Sequence, residues 1–212
     1  MLGIDISHWN LGVDLSSKDI DFVIAKATEG VTLKDRCFRE YMEKSIANDK
    51  LIGMYHFMSL KNPIEQAKNF LDTIDKYIGQ GILVLDYEWK CGNMLGGSYG
   101  ALQFLEYVKE QCGVKPLIYI NKHYLQTYDW NDVAKGDYGL WLADYTTAYT
   151  TLDDRVKKSK NISPWNVQAI RQYTSKGFIN GDTTRFIDLN KAFMSEEAWK
   201  LYARKSVNEQ TK

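Results

Sequence analysis

Short apolar stretches of strand length recur along the chain. Each is rich in Ile, Val, Tyr or Trp and is bounded by Gly, Asp or Asn, a composition typical of β-strands. Eight such stretches predict eight strands, namely Gly3–Ser7, Phe22–Lys26, Leu51–Phe57, Ile82–Trp89, Pro116–Asn121, Gly139–Tyr145, Val167–Tyr173 and Phe186–Leu189. Strand-forming segments are therefore spread over almost the whole chain.

Helical patterns lie between the early strands. Arg36–Asn48 carries a stripe of apolar residues at helical spacing. Asn62 followed by Pro63 is typical of a helix start, with Asn as the cap and Pro at the first helical position. A third apolar stripe begins at Ala101 and ends before Gly113. Because strands and helices alternate in the first half, the pattern predicts a parallel sheet.

The last three predicted strands are spaced more closely than the others. Asn180-Gly181-Asp182 separates the final two strands and is typical of a hairpin turn, so we expect these two strands to be antiparallel. Eight strands with helices only between the early ones favour an α/β barrel that is closed by an antiparallel segment. An open, doubly wound sheet is the alternative.

Charge and apolar content exclude two classes of partner. The chain has 212 residues, with 27 Lys and Arg against 27 Asp and Glu, and it contains no long basic run. A nucleic-acid-binding surface normally leaves a basic footprint, so we expect no nucleic-acid partner. No apolar run approaches the length of a membrane span, and the residues after Met1 lack the basic and apolar regions of a signal peptide. We therefore expect neither membrane insertion nor a cleaved leader.

Cysteine and histidine usage argues against a disulfide framework or a metal site. The three Cys are an odd number without CxxC spacing, and the three His lie far apart. We expect buried thiols, no metal and no cofactor. The six Trp and fourteen Tyr suit a groove that binds sugar rings, although most individual rings are expected to fill the core.

Two acids follow the most apolar strand. Leu83–Leu85 predicts a buried strand, and Asp86 and Glu88 come directly after it. Side chains two apart on a strand share a face, with their stems roughly 6.5 Å apart at about 3.3 Å per residue. Two neighbouring acids do not ionise independently, so one is expected to be a protonated general acid while the other stays anionic. An ordinary surface pair is the alternative, and the apolar run with Trp89 after the pair favours function.

Two further acids interrupt apolar strands. Asp5 lies within Gly3–Ser7, and Asp188 lies between Ile187 and Leu189. Each could be a simple strand cap. In a closed barrel of eight strands, however, the first and last strands are neighbours, so both acids would converge at one mouth with Asp86 and Glu88.

Seven motifs in this order resemble the lysozymes of glycoside hydrolase family 25. They are Gly3-Ile4-Asp5-Ile6-Ser7-His8-Trp9, Ala25-Lys26-Ala27-Thr28-Glu29-Gly30, Gly53-Met54-Tyr55-His56-Phe57, Leu85-Asp86-Tyr87-Glu88, Leu140-Trp141-Leu142-Ala143-Asp144-Tyr145, Gln172-Tyr173 and Ile187-Asp188-Leu189-Asn190. The resemblance covers roughly residues 1–194. It implies a modified TIM-like barrel of five β/α units followed by three strands. It also implies cleavage of the β-1,4 bond between N-acetylmuramic acid and N-acetylglucosamine in bacterial peptidoglycan.

The resemblance also implies roles for individual residues. Glu88 matches the proton donor and Asp86 its partner carboxylate, while Asp5 and Asp188 match the remaining acids of the cluster. The implied substrate groove takes in Tyr55, Trp141, Gln172 and Tyr173, and we add Trp9. The His8-Trp9 pair departs from the family, which often has a small or polar residue before this aromatic ring. Because both sugars carry 2-acetamido groups, we expect Asp86 to position an acetamido group as the nucleophile, with tuning of the Glu88 pKa as the alternative.

Two other functions fit less well. A chitinase would carry a D-x-x-D-x-D-x-E run, and the residues before Asp86 are Ile82–Leu85. A non-catalytic glycan-binding barrel is expected to lose the proton donor, whereas Glu88 is present.

The expected organisation is a catalytic barrel over residues 1–194, followed by a C-terminal helix and polar tail over 195–212. The helix is predicted over Ser195–Ala203, with a frayed end after it. We expect a monomer whose partner is the glycan strand of peptidoglycan. It would act extracellularly, and without a leader its release would need holin-type lysis or another route.

Overall fold

The computed structural model describes residues 1–88, 91–145 and 148–204. The strands are β1 Leu2–Ile6, β2 Phe22–Glu29, β3 Leu33–Lys34, β4 Leu51–Phe57, β5 Ile82–Asp86, β6 Leu117–Asn121, β7 Leu140–Ala143, β8 Gln168–Ile179 and β9 Asp182–Ala192. The helices are α1 Phe38–Ala47, α2 Pro63–Ile74, α3 Cys91–Met94, α4 Tyr99–Cys112, α5 Lys122–Thr127, α6 Asn131–Lys135 and α7 Glu196–Ala203.

Eight of these strands close into a barrel. β1 pairs in parallel with β2 on one side and antiparallel with β9 on the other, so the sheet has no open edge at this point. From β2 the barrel continues through β4, β5, β6, β7 and β8 in parallel, and β8 pairs antiparallel with β9. The closed barrel and its antiparallel final pair are confirmed, and the open doubly wound sheet is excluded.

The ends of the predicted elements differ from the observed ones in a few places. β5 ends at Asp86, and the predicted continuation to Trp89 lies partly outside the described residues. β8 and β9 are 12 and 11 residues long, well beyond the predicted strands. Register shifts after Gln172, Thr174 and Gly177 interrupt the alternation that marks a strand, which is why the pattern stops short. The short β3, α3, α5 and α6 were not predicted, since they are too brief to show a period.

Helix starts follow their sequence signals. Asn62 caps α2 by accepting hydrogen bonds from the backbone N–H groups of Ile64 and Glu65 at 2.8 and 3.2 Å. Ser195 caps α7 in the same way through the backbone N–H of Ala198. The predicted terminal helix is confirmed over Glu196–Ala203, while the polar tail from residue 205 lies outside the described residues.

The hydrophobic core has two parts that lie on opposite faces of the strands. Between the strands and the helices, outward-facing residues pack against α1, α2 and α4. Inside the barrel, Phe22, Ile82 and Val84 pack with Trp199, which α7 inserts from the end where the strands begin. The Trp199 ring centroid lies 4.8 Å from that of Phe22, and its indole N–H donates to the backbone oxygen of Ile52 at 3.2 Å. One end of the barrel is therefore filled by apolar side chains.

The three cysteines, Cys37, Cys91 and Cys112, are free and buried, as predicted. His56 is also buried, and its ring lies between the Thr28 hydroxyl at 2.7 Å and the Gln66 side-chain oxygen at 3.2 Å. Burial lowers the pKa of His56 to about 3, so the ring is a neutral packing group. In the three described ranges, helices long and apolar enough to cross a bilayer do not occur.

Candidate active site

A cavity of about 490 Å³ opens at the end of the barrel where the parallel strands finish. The carboxyl ends of parallel strands are the usual place for active sites in such barrels. The cavity is lined by Asp5, Ser7, Trp9, Lys26, Glu29, Tyr55, Phe57, Asp86, Glu88, Tyr119, Trp141, Tyr145, Gln172, Ser175 and Asp188.

The four predicted acids all line this cavity. Asp5 and Asp188 are direct partners across the β1–β9 pair, as expected if the first and last strands are neighbours. Asp86 is the last residue of β5, and Glu88 follows two residues later. Asp86 is only 9% exposed and Asp5 only 7%, so the acids sit at the bottom of the cavity.

Two side-chain amides hold Asp5 in place. The Oδ2 atom of Asp5 accepts hydrogen bonds from Gln172 Nε2 at 2.9 Å and from Asn190 Nδ2 at 2.7 Å. The oxygen of the Asn190 amide accepts in turn from the Trp141 indole N–H at 2.9 Å, and that of Gln172 accepts from the Tyr119 hydroxyl at 2.8 Å. These outer contacts fix which end of each amide faces Asp5. The carboxylate is therefore oriented by two chains of hydrogen bonds.

Asp5 and Asp188 form a carboxyl pair that shares a proton. Burial raises the pKa of Asp5 to about 6, and hydrogen bonds from Asn190, Gln172 and Asp188 keep it from rising further. Burial, together with repulsion by Asp5 and Glu88, raises the pKa of Asp188 to about 8. Because both pKa values are raised and the two carboxyls are hydrogen-bonded, the pair favours holding one proton between them near neutral pH.

Asp86 and Glu88 form the second pair. Burial raises the pKa of Asp86 well above its usual range, and repulsion by Glu88 and Asp5 adds to this. Burial also raises the pKa of Glu88, with repulsion by Asp5. Within the described part of the chain, Asp86 Oδ1 is buried and has no hydrogen-bond partner. A buried carboxylate oxygen without a donor is costly, so this atom is suited to accept a hydrogen bond from a ligand.

The predicted groove residues differ in how far they are exposed to the cavity. Trp9 is 83% exposed at the cavity rim, Tyr55 is half-buried in the wall, and Trp141 is almost fully buried at the floor. Gln172 contacts the acid cluster as described above. Tyr173 departs from the predicted groove, because successive residues of β8 face opposite sides of the sheet. Its ring is buried between the barrel and the outer layer, and its hydroxyl donates to the Thr151 backbone oxygen at 2.9 Å.

Several cavity residues were not predicted from the sequence. Lys26 and Glu29 form an ion pair at 2.7 Å, and the Lys26 ammonium lies 4.7 Å from the centre of the Phe57 ring. Tyr119 and Tyr145 both donate to Gln172. Lys26 and Glu29 stand within the motif Ala25–Gly30, where charges inside a strand-forming segment are a sequence signal for both residues. Tyr145 is likewise the last residue of the motif Leu140–Tyr145, whereas Tyr119 carries no comparable signal.

The described residues hold no group of three or more His, Cys, Asp or Glu arranged to bind a metal ion. A metal-free and cofactor-free reaction remains a prediction. The side chains present provide carboxyl groups for proton transfer, amides for orientation and aromatic faces for binding.

One curated protein is similar to this chain in sequence. The curated autolytic lysozyme of Clostridium acetobutylicum is 26% identical over 157 residues, which make up 72% of this chain and 48% of that protein. The chain thus spans about half the length of this relative.

Solved structures share the fold over nearly the whole chain. A family 25 glycosyl hydrolase from Bacillus anthracis superposes with a TM-score of 0.78 at 21% identity, covering 96% of this chain and 93% of that one. The catalytic domain of endolysin ply40 from bacteriophage P40 of Listeria monocytogenes gives 0.73 at 26% identity, covering 96% and 97%. The sequence model for glycosyl hydrolases family 25 matches residues 4–182. With that match, the closed barrel and the acid cluster at its mouth, the chain belongs to glycosyl hydrolases family 25.

Proposed function

We propose that the protein is an N-acetylmuramidase that hydrolyses the β-1,4 bond between N-acetylmuramic acid and N-acetylglucosamine in bacterial peptidoglycan. The observation that carries this proposal is the pairing of Asp86 and Glu88 at the end of β5, inside a cavity of about 490 Å³ that is also lined by aromatic rings. The family membership supports the reaction type. The proposed partner is the glycan strand of the wall, and the proposed place of action is outside the cytoplasm.

Glu88 is the proposed general acid. Glu88 is more exposed to the cavity than Asp86, and its raised pKa helps it to keep a proton until the bond breaks. The proton passes to the bridging oxygen as the bond from this oxygen to the sugar C1 breaks. Glu88, then ionised, takes a proton from the water that completes hydrolysis.

Asp86 is the proposed partner for the substrate's 2-acetamido group. Its Oδ1 atom lacks a donor among the described residues, and an acetamido N–H would supply one. An ionised Asp86 that accepts this hydrogen bond favours attack of the acetamido oxygen on C1, and the proton shared by the pair then resides on Glu88. The intermediate is a cyclic oxazolinium ion, which water opens again at C1.

The glycan is proposed to lie along the aromatic rim. Trp9 offers a large exposed ring, and Tyr55 and Tyr145 line the wall next to the acids. Trp141 has little free surface, so we assign it the support of Asn190 and hence of Asp5. Tyr173 is not part of this proposed groove.

Replacement of Glu88 by Gln tests the proton donor. With Glu88→Gln, the turbidity of a suspension of purified Gram-positive walls should fall about 10²–10⁴-fold more slowly than with the wild type. This factor is the usual contribution of a positioned acid. Glu110→Gln, an exposed change on α4, is the matched control and should leave the rate unchanged. Reduction of the products with borohydride should yield N-acetylmuramitol at the new ends, whereas a glucosaminidase or chitinase would yield the reduced glucosamine. A folded Glu88→Gln protein with wild-type clearance, or a wild type that binds walls without clearing them, would refute the proposal.

The anomer of the product tests the role of Asp86. Because the acetamido oxygen and then water attack opposite faces, the β configuration should be retained, as proton NMR of the fresh reducing end can show. Asp86→Asn should reduce turnover strongly without loss of the fold. Initial release of the α-anomer would instead require a water activated by one of the acids.

A further inference from the structure

Lys26 stands out among the residues that line the cavity. Five carboxyl groups surround this space, and Lys26 is the only positively charged side chain among the described residues that line it. Its side chain is 8% exposed, so the charge is enclosed by protein. Burying an ammonium group is costly unless it is paired, and the expected result is a strong local field.

Glu29 supplies only part of the compensation for this charge. The Lys26 Nζ atom lies 2.7 Å from Glu29 Oε2, yet the Glu29 side chain is 40% exposed and is therefore screened by water. Lys26 also lines the cavity that contains Asp86 and Glu88, and its charge acts on both of these acids. The enclosed cation consequently acts on the pair more strongly than the water-exposed anion does.

We propose that Lys26 is a positioning residue, whose ammonium is the counter-charge that lets the Asp86–Glu88 pair hold a single proton, with Glu29 limiting how much of that charge the pair experiences. This inference rests on the proposed function. It concerns the pH range in which the pair is competent, and it gives Lys26 no contact with the reacting atoms.

The electrostatic balance around the pair agrees with this role. Lys26 opposes the rise in the pKa of both Asp86 and Glu88, while burial and the neighbouring acids favour it. The other titratable groups that line this space are Asp5, Glu29, Tyr55, Tyr119, Tyr145 and Asp188, and His56 is buried on the other face of β4. All of these are acids, phenols or a neutral imidazole, so none of them can replace the ammonium.

Opposite shifts of the pH profile test the proposal. Lys26→Met removes the cation, so both limbs of the kcat/KM profile should move to higher pH, by roughly one unit for a nearby charge. Glu29→Gln leaves the cation unpaired, so both limbs should move to lower pH. Lys26→Arg keeps the charge and should restore the wild-type limbs. The double variant Lys26→Met with Glu29→Gln should lie between the single variants.

A matched ion pair provides the control. Lys68 and Glu65 on α2 have the same residue types at the same spacing, 2.8 Å apart, but both are exposed and away from the cavity. Lys68→Met and Glu65→Gln should leave both limbs in place. Circular dichroism and thermal unfolding show whether each variant is folded. If Lys26→Met does not fold, Glu29→Gln and Lys26→Arg still test the proposal.

Two results would overturn the inference. Loss of stability with unmoved limbs would make the Lys26–Glu29 pair purely structural. A raised KM at unchanged limbs would mean that Lys26 binds the substrate directly. Both results are distinct from failure of the proposed function, because wall clearance by the wild type and its loss in Glu88→Gln are measured separately.

Discussion

The two ends of the barrel interior are built by the same strands, yet one end is lined by apolar side chains and the other by charged ones. On β2, the inward positions run from Phe22 through Ile24 to Lys26, and on β5 they run from Ile82 through Val84 to Asp86. The first two positions of each strand are apolar and buried, and only the last carries charge. A step of two residues along one strand therefore separates the dry core from the acid cluster. Stability and chemistry are divided along the barrel axis, not between separate parts of the chain.

The strongest test of this division is Trp199→Ala at the apolar end. The side chain is fully buried against Phe22, so its loss should lower the free energy of unfolding by about 3–5 kcal/mol. Urea denaturation measures this change. Below the unfolding transition, kcat/KM on cell walls should stay close to the wild-type value, because the acid cluster lies at the other end.

Leu201→Ala on the same helix is the control. Leu201 is 71% exposed, and its replacement should change the free energy of unfolding by less than about 0.5 kcal/mol. A shifted pH profile in folded Trp199→Ala would show that the two ends are coupled after all.

The next largest effect is expected for Asp188→Asn at the polar end. The folded-state pKa of Asp188 is about 8, above its value in the unfolded chain, so the folded state loses stability as pH rises from about 4 to about 8. Asn donates a hydrogen bond to Asp5 without titrating. The variant should match the wild type at pH 4 and be more stable at pH 8, by about 0.5–2 kcal/mol, while its activity falls.

Asp182→Asn, on the same strand, should change the pH dependence of folding stability in the opposite direction. Hydrogen bonds from Thr184 lower the pKa of this exposed acid, so its stabilising effect is present at neutral pH and is lost in acid. The Asn variant should therefore be slightly less stable at neutral pH only. Equal thermal midpoints for Asp188→Asn and the wild type at every pH would contradict the shared proton between Asp5 and Asp188.

The smallest effect is expected for Tyr119→Phe, which removes one of the hydrogen bonds to Gln172. A loss of about 0.5–1.5 kcal/mol is typical of a single buried hydrogen bond, and Tyr145 still donates to the same oxygen. Tyr145→Phe should behave similarly. The double variant should cost more than the sum of the two, because the Gln172 oxygen then has neither phenol. Strict additivity in denaturation experiments would mean that the two hydroxyls act independently.

The sequence predicted the barrel because its periodicity is local. An apolar run indicates each strand. Asp5, Asp86 and Asp188 stand out because each of them interrupts or ends such a run. The convergence of Asp5 and Asp188 follows from barrel closure, since the first and last strands must be neighbours, and Asp86 joins them because β5 ends at the same mouth. The position of Glu88 at the cavity follows from its spacing to Asp86.

Other parts of the site depend on contacts that no local pattern records. Gln172 and Tyr173 are adjacent, and only the register of β8 against β7, with a shift after Leu140, decides which of them faces the cavity. Lys26 would normally be read as a surface residue, because its burial depends on Glu29 and Phe57. The length of the final hairpin was underestimated for a related reason, since its irregular register hides the alternation.

The buried thiols have a consequence for where this fold can be maintained. All three cysteines are free, and burial raises the pKa of the Cys91 thiol to about 12, so almost none of it is present as the reactive thiolate. Formation of the native state therefore requires neither oxidant nor disulfide exchange, and a reductant has no bond to break. The same folded protein should persist in reducing and in oxidising surroundings, with equal thermal midpoints in dithiothreitol and in air-equilibrated buffer.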